Sequence, residues 1–246
     1  MWVLAAARVL FIVLHTVIWG GAIYFLSFFD PHAERAAGLL RFWAKGNLWA
    51  CRVRVRVSGG DRLETGRAYI FMSNHQSQFD ILALCVALKD VPLRWVAKEE
   101  LRRVPVLGPC LYRTHQILVD RGSRGQAVAT LRKVKELLAL GISVIFFPEG
   151  TRGTQGNLLP FRPGGFMAAV EAGIPVVPVA IKGSWRVLPT GEWKVSPGQI
   201  DVVIGTPIDV RAQVSRKESR RDLLRQVHAA IAAELAMGKG DCSSIG

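Results

Sequence analysis

Seven short β-rich runs, six of them largely apolar and the first alternating arginine with valine, each close in a polar or glycine-bearing turn and constrain this chain more than any other feature. They fall at residues 52–57, 69–73, 93–97, 115–119, 142–147, 174–181 and 200–204. Rich in Val, Ile and Phe and only a few residues long, they read as strands. Between them, residues 79–88, 123–140 and 164–172 read as helices. In the longest of these, Val128, Leu131, Val134, Leu137 and Leu138 recur at helical spacing before Gly141 ends the pattern. Strands alternating with helices predict an α/β domain with a largely parallel central sheet flanked by helices. In open sheets of this kind, ligands bind outside the carboxyl ends of the strands. A last amphipathic helix is expected over 215–235, with Leu223, Val227, Ile231 and Leu235 on one face and Ser215 and Glu218 as its capping box.

A second constraint lies at the N-terminus. No charged residue stands between Arg8 and Asp30. A helix of about 20 residues covers roughly 30 Å, the thickness of a bilayer's hydrocarbon core. His15, Gly20 and Gly21 interrupt the apolar character without ending it. No small-residue cleavage site follows, so a signal peptide is not expected. Residues 36–49 are apolar too, with Arg41, Trp43, Lys45 and Trp49, a composition suited to a helix at a membrane interface. The expected organisation is an N-terminal two-helix membrane anchor at 1–50, an α/β domain at 51–237 and a disordered tail at 238–246. A hairpin entering one leaflet and a pair of buried core helices are the alternatives. The four cysteines are scattered, without zinc-ligand spacing, and read as free thiols on a cytosolic side.

Two turns carry the chemistry. Asn74-His75-Gln76-Ser77-Gln78-Phe79-Asp80 follows the strand at 69–73 and sets an imidazole five positions before a carboxylate. A neutral imidazole accepts a proton near pH 7, and a carboxylate on its other nitrogen fixes the tautomer and supports the cation that forms. That pair is equipped to deprotonate an alcohol. Ser77 lacks the G-x-S-x-G elbow of a nucleophilic serine. Asp80 also falls in a helix's first turn, where a carboxylate is favoured for structural reasons alone. The second turn, Phe147-Pro148-Glu149-Gly150-Thr151-Arg152, follows the strand at 142–147.

The surplus of 32 basic over 19 acidic side chains, a formal charge of +13, favours an anionic partner. If an acceptor carries phosphate, Lys98, Arg121, Arg152 and Arg162 are the cations beside strand ends and turns. Gly150, Gly153 and Gly156 would let the backbone approach an anion, though the stretch lacks the pattern of a nucleotide-binding loop. No helix-turn-helix, RNP or zinc signature is present, so nucleic acid is not an expected partner. No metal-ligand cluster is evident.

These residues carry a family resemblance. The first turn is similar to the H-x-x-x-x-D block of the 1-acylglycerol-3-phosphate acyltransferases, within the glycerolipid acyltransferase superfamily. Ile117-Leu118-Val119-Asp120-Arg121 resembles the second block, Phe147-Pro148-Glu149-Gly150-Thr151-Arg152 the third and Val177-Pro178-Val179-Ala180-Ile181 the fourth. The resemblance implies His75 as base with Asp80 as its partner, and Arg121 and Arg152 on the acceptor phosphate. Lys98 and Arg162 resemble further basic positions, while Asn74, Ser77, Glu149, Gly150 and Thr151 support the motifs. It implies transfer of a fatty acyl group from acyl-CoA or acyl carrier protein to the sn-2 hydroxyl of lysophosphatidate, giving phosphatidic acid. No cofactor is expected beyond the thioester donor, and the membrane lipids are partners. The inner membrane is the expected location, with the α/β domain on the cytoplasmic side. His115-Gln116 departs from the second block, which usually begins with glycine, and leaves other lysolipids open as acceptors. A non-enzymatic lipid-binding protein on the same fold is a further alternative.

Overall fold

The structure, a computed structural model, describes residues 2–30, 33–120, 124–210 and 215–240. Two helices, α1 (Trp2–Leu26) and α2 (Glu34–Ala50), precede the first strand. Seven strands follow: β1 (Val53–Ser58), β2 (Ile70–Ser73), β3 (Leu93–Lys98), β4 (Ile117–Val119), β5 (Ser143–Phe146), β6 (Val176–Lys182) and β7 (Gly198–Ile204). The helices of this part are α3 (Phe79–Ala87), α4 (Leu107–Arg113), α5 (Arg124–Ala139), α6 (Gly164–Ala172), α7 (Ser184–Val187) and α8 (Arg216–Gly240). The strand order is β1-β7-β6-β2-β5-β3-β4. The block from β6 to β4 is parallel, β7 runs antiparallel to β6, and β1 lies parallel to β7. The sheet is therefore largely parallel, with a reversed pair at one edge.

The central strands are buried on both faces, as parallel strands between helical layers must be. Tyr69, Phe71, Ile145, Val177, Val179 and Ile181 point to one side and pack with α2, α3 and α7 through Ala44, Leu48, Leu82, Leu84 and Val187. Ile70, Met72, Val144, Phe146 and Val176 point to the other and pack with α5, α6 and α8 through Val134, Leu138, Phe166, Leu223 and Val227. Burial of each such side chain stabilises the fold by about 1.5–3 kcal/mol before entropy is counted. The last helix runs on to Gly240, past the boundary expected at 238, because glycine weakens a helix yet keeps the N–H that its ladder needs. The remainder of the expected tail lies outside the described residues.

Helix α1 is apolar and long enough to cross a membrane, the one such helix among the described residues. Both of its ends are nevertheless tied to the α/β part. Near its start, the buried Arg8 donates from Nη1 to the Val195 carbonyl at 3.1 Å, between α7 and β7. Near its end, the Cys110 thiol of α4 donates to the Gly20 carbonyl at 3.1 Å, and Arg113 donates to Ser27 Oγ and O, both at 3.1 Å. A Cβ on Gly20 would stand 2.4 Å from Val106 Cγ1, so any larger residue there would push the Val106 side chain or α4 away. Between the ends, Trp43 of α2 donates to Thr16 Oγ1 at 3.0 Å, and the His15 ring lies over Gly46. The opposite face of α1 is bare: Leu4, Leu10, Leu14, Ile18 and Phe25 are all exposed.

Candidate active site

Strands β2 and β5 are neighbours in the sheet, and both turns leave from their carboxyl ends. The first turn is built around Asp80. Its Oδ2 accepts from three donors: His75 Nδ1 at 2.8 Å, the Gln76 amide at 2.6 Å and the Ser77 amide at 2.8 Å. The carboxylate thus shapes the loop and orients the ring together. With Nδ1–H donating to Asp80, the lone pair of His75 sits on Nε2. The His75 side chain keeps 15% of its surface open while Asp80 has none. The other oxygen, Asp80 Oδ1, is buried without a hydrogen-bond partner among the described residues.

Asn74 and Ser77 hold backbone. The Asn74 amide extends the sheet: Nδ2 donates to the Ile181 carbonyl at 2.9 Å and Oδ1 accepts from the Ile181 amide at 2.7 Å. Ser77 Oγ donates to the Leu188 carbonyl at 2.8 Å and accepts from the Phe79 amide at 3.2 Å, at the start of α3. Its hydroxyl is committed to these contacts, in keeping with a serine that is no nucleophile.

The second turn is bonded directly to the first. Glu149 is 3% exposed, and its Oε1 accepts from the His75 amide at 2.7 Å. Its Oε2 accepts from the Leu159 amide at 2.9 Å. The Gly153 amide returns a bond to the His75 carbonyl at 2.7 Å. His75 is consequently held by main-chain bonds on both sides of its Cα. Burial pushes the Glu149 carboxyl up to about 7, against the opposing pull of the two amides that donate to it. Gly150 turns the chain at a φ of 75°, where a side chain would be strained.

An aromatic stack backs the imidazole. The Phe147 ring lies 4.0 Å from that of His75 at an interplanar angle of 18°, and Trp95 of β3 stacks on Phe147 at 6.3 Å. One face of the imidazole is thus covered, so a reacting group must reach Nε2 in the plane of the ring. A cation formed on the ring would rest against a π face. Phe147 belongs to the third block without a role of its own there, since nothing local announces a stack with a ring carried by another turn.

The candidate cations are distributed around these turns. Arg152 sits half-buried in the second turn, and Lys98 ends β3 exposed. Arg162 is exposed, and its amide donates to the Pro148 carbonyl at 2.8 Å, which brings its backbone beside the same turn. None of these three side chains has a hydrogen-bond or ion-pair partner among the described residues, and each is available to an anion. Arg121 lies outside the described residues. Thr151 is exposed. No cluster of three or more metal-binding side chains occurs among the described residues.

The departure at His115-Gln116 has a local structural account. His115 takes the left-handed φ of 56° for which glycine is the usual solution. Gln116 is 3% exposed and fills the gap between β3 and β4: its Oε1 accepts from the Trp95 amide at 2.7 Å and its Nε2 donates to the Thr114 carbonyl at 3.1 Å.

A family model described as Acyltransferase matches residues 54–182, just over half of the 246. A 1-acyl-sn-glycerol-3-phosphate acyltransferase of Pseudomonas aeruginosa is 32% identical over 204 residues, covering 81% of this chain and 78% of that protein. Proteins of the same description from Chlamydomonas reinhardtii and Arabidopsis thaliana are 32% and 30% identical over 64% and 80% of this chain. The chain spans about half the length of these two, 49% and 55%. The crystal structure of the 1-acyl-sn-glycerophosphate acyltransferase of Thermotoga maritima superposes with a TM-score of 0.80 at 28% identity, covering 97% of this chain and 95% of that one. The family match takes in both turns and the strands that deliver them, and on sequence and fold together the chain belongs to the acyltransferase family.

Proposed function

We propose that the protein transfers a fatty acyl group from a thioester, acyl-CoA or acyl carrier protein, to the sn-2 hydroxyl of 1-acylglycerol-3-phosphate, giving phosphatidic acid. The observation that carries this is the direct bonding of the two turns, which sets a base-oriented imidazole beside free cations. His75 Nε2 takes the hydroxyl proton as the oxygen attacks the thioester carbonyl. The tetrahedral adduct collapses with loss of the thiolate, and the proton on Nε2 passes to the leaving sulfur. Asp80 holds the ring and balances the imidazolium. Arg152, with Lys98, Arg162 and Arg121, binds the acceptor phosphate. The relatives named above, described as acting on this acceptor, support the same reading.

Residues 1–50 serve as the membrane-associating part and 51–237 as the catalytic part. The ends of α1 are held by segments that leave the sheet at the carboxyl ends of β6 and β3, with β2 and β5 between them. A helix tied at both ends to one side of the membrane does not cross it. Helix α1 therefore lies along the interface of one leaflet, its bare face in the acyl region and the catalytic turns alongside. Cys51, Cys85 and Cys110 are free thiols, which fits a reducing, cytoplasmic side of the inner membrane.

The test is turnover of purified protein on a panel of lysolipids with both thioester donors. Lysophosphatidate should be the preferred acceptor. The His75→Ala variant should lose about 10²–10⁴-fold in kcat while keeping its fold and its lipid binding. Near-normal turnover by that variant would remove the assigned base.

A further inference from the structure

We infer that the excursion between β6 and β7, residues 183–197, is a second bilayer contact that sets the height of the catalytic turns over anionic lipid. The inference rests on the proposal that α1 lies along one leaflet. The root of the excursion is fixed: Val187 and Val195 are buried in the core, and the Ser196 amide donates to the Val187 carbonyl at 2.8 Å. Its tip, residues 190–193, is exposed. At the tip, Trp193 is 48% exposed and lies 5.6 Å from the ring of Trp2, itself 68% exposed at the start of α1. Lys194 places its ammonium 5.6 Å from the centroid of the Trp2 ring. Tryptophan beside lysine is the chemistry of the membrane interface, with the ring at headgroup level and the ammonium toward phosphate. Val3 and Leu4, also exposed, continue this patch into the bare face of α1. Arg186 and Lys194 outnumber the single acidic residue of the excursion, Glu192, so its charge matches an anionic surface.

The same excursion grips the active site. Leu188 accepts from Ser77 Oγ at 2.8 Å. Thr190 Oγ1 lies 3.3 Å from the Gly153 carbonyl and 3.5 Å from that of Gln76, between the two catalytic turns. Trp185 packs against Gly156, where a Cβ would stand 2.9 Å from the indole nitrogen. A bilayer contact at Trp193 is therefore linked, through the Ser77 and Thr190 hydroxyls and the carbonyls that accept from them, to the loop that carries His75. An acceptor whose acyl chain stays in the leaflet offers its headgroup at one depth, and this contact sets the ring to that depth.

The test uses full-length protein and vesicles of phosphatidylcholine with phosphatidylglycerol, some carrying brominated acyl chains. The emission lost in Trp193→Phe isolates Trp193, and the residual emission of that variant reports the remaining tryptophans, including those of α1 and α2. Quenching of both components is expected. Trp193→Ala should also lower turnover of vesicle-embedded lysophosphatidate about tenfold, with Trp193→Phe within twofold of the parent. Both variants should match the parent on a short-chain lysophosphatidate kept monomeric. An unquenched Trp193 beside quenched residual emission overturns the second contact and leaves α1 at the membrane. Absence of quenching in both overturns both. Equal losses on vesicle and monomeric substrate would reduce Trp193 to a packing residue and overturn the inference, as would shielding of Trp193 by acyl carrier protein alone.

Discussion

Replacing Glu149 with glutamine should abolish the parent's loss of stability between pH 5 and pH 8 and lower activity at pH 8. The carboxyl is buried, and its value in the fold is raised from 4.5 to about 7. A raised carboxyl value means that the folded state binds the proton more tightly than the unfolded chain does. Its contribution is fully present below pH 4.5, falls as the pH rises through 7, and is gone at pH 8. A shift of this size costs the ionised fold about 1–3 kcal/mol relative to the protonated one. Glutamine resembles the protonated carboxyl in shape and neutrality, so at pH 8 the variant escapes that cost. For a chain of this length the parent's melting temperature should fall by about 2–12 °C between pH 5 and pH 8 on this account, while the variant, which lacks the titrating group and carries the lost bond at both values, should show no such fall. Function moves the other way. The carboxylate accepts from the His75 and Leu159 amides together, whereas a primary amide has one oxygen. Loss of one charge-assisted bond, about 1.5–3 kcal/mol, predicts a kcat reduced about ten- to a hundredfold. Scanning calorimetry at the two pH values and steady-state turnover at pH 8 decide the matter. A variant that loses stability between the two pH values as the parent does, or one with full kcat, would refute the reasoning.

Two further outcomes follow from the site. Arg152→Ala should raise the KM for lysophosphatidate about tenfold or more with a smaller change in kcat, because a phosphate contact is made in ground and transition states alike; an unchanged KM would remove Arg152 from the phosphate. Phe147→Leu should lower kcat about 2–30-fold at unchanged KM, with Phe147→Tyr near the parent, because the stacked ring supports the imidazolium; equal activity of the leucine variant would reduce the stack to packing.

All seven strands were legible as short β-rich runs, because turn residues punctuate each of them. Their directions were not. A strand's apolar pattern reads the same both ways, and only the connection tells. The path from β6 to β7 holds no more than the four-residue α7, too little for a crossover, and β7 returns antiparallel. The pairing of β1 with β7 joins segments at opposite ends of the domain and has no local signature. Helix α4 has no apolar period to announce it, and Pro105, Gly108 and Pro109 are residues that ordinarily interrupt helices. It forms because Pro109 falls in the first turn, where no intrahelical N–H is needed, and because Gly108 packs where a Cβ would stand 2.0 Å from the Arg102 carbonyl.

The site divides along the same line. His75 and Asp80 were legible as a pair because five residues of loop and first helical turn bring them together locally. The bonds that make them a rigid unit arrive from the Glu149 turn and from the excursion that carries Leu188, and most of these run to main-chain atoms. Main-chain contacts impose a backbone path and no particular side chain, so they leave little trace in a sequence. His115 shows the converse. The second block needs a left-handed residue there, and a histidine meets that need at a strain of about 1–2 kcal/mol that glycine would avoid. The departure from the family pattern thus concerns the backbone, and under the proposed function the choice of acceptor falls to Lys98, Arg152 and Arg162, which have no partner among the described residues, and to the depth at which the membrane presents the hydroxyl.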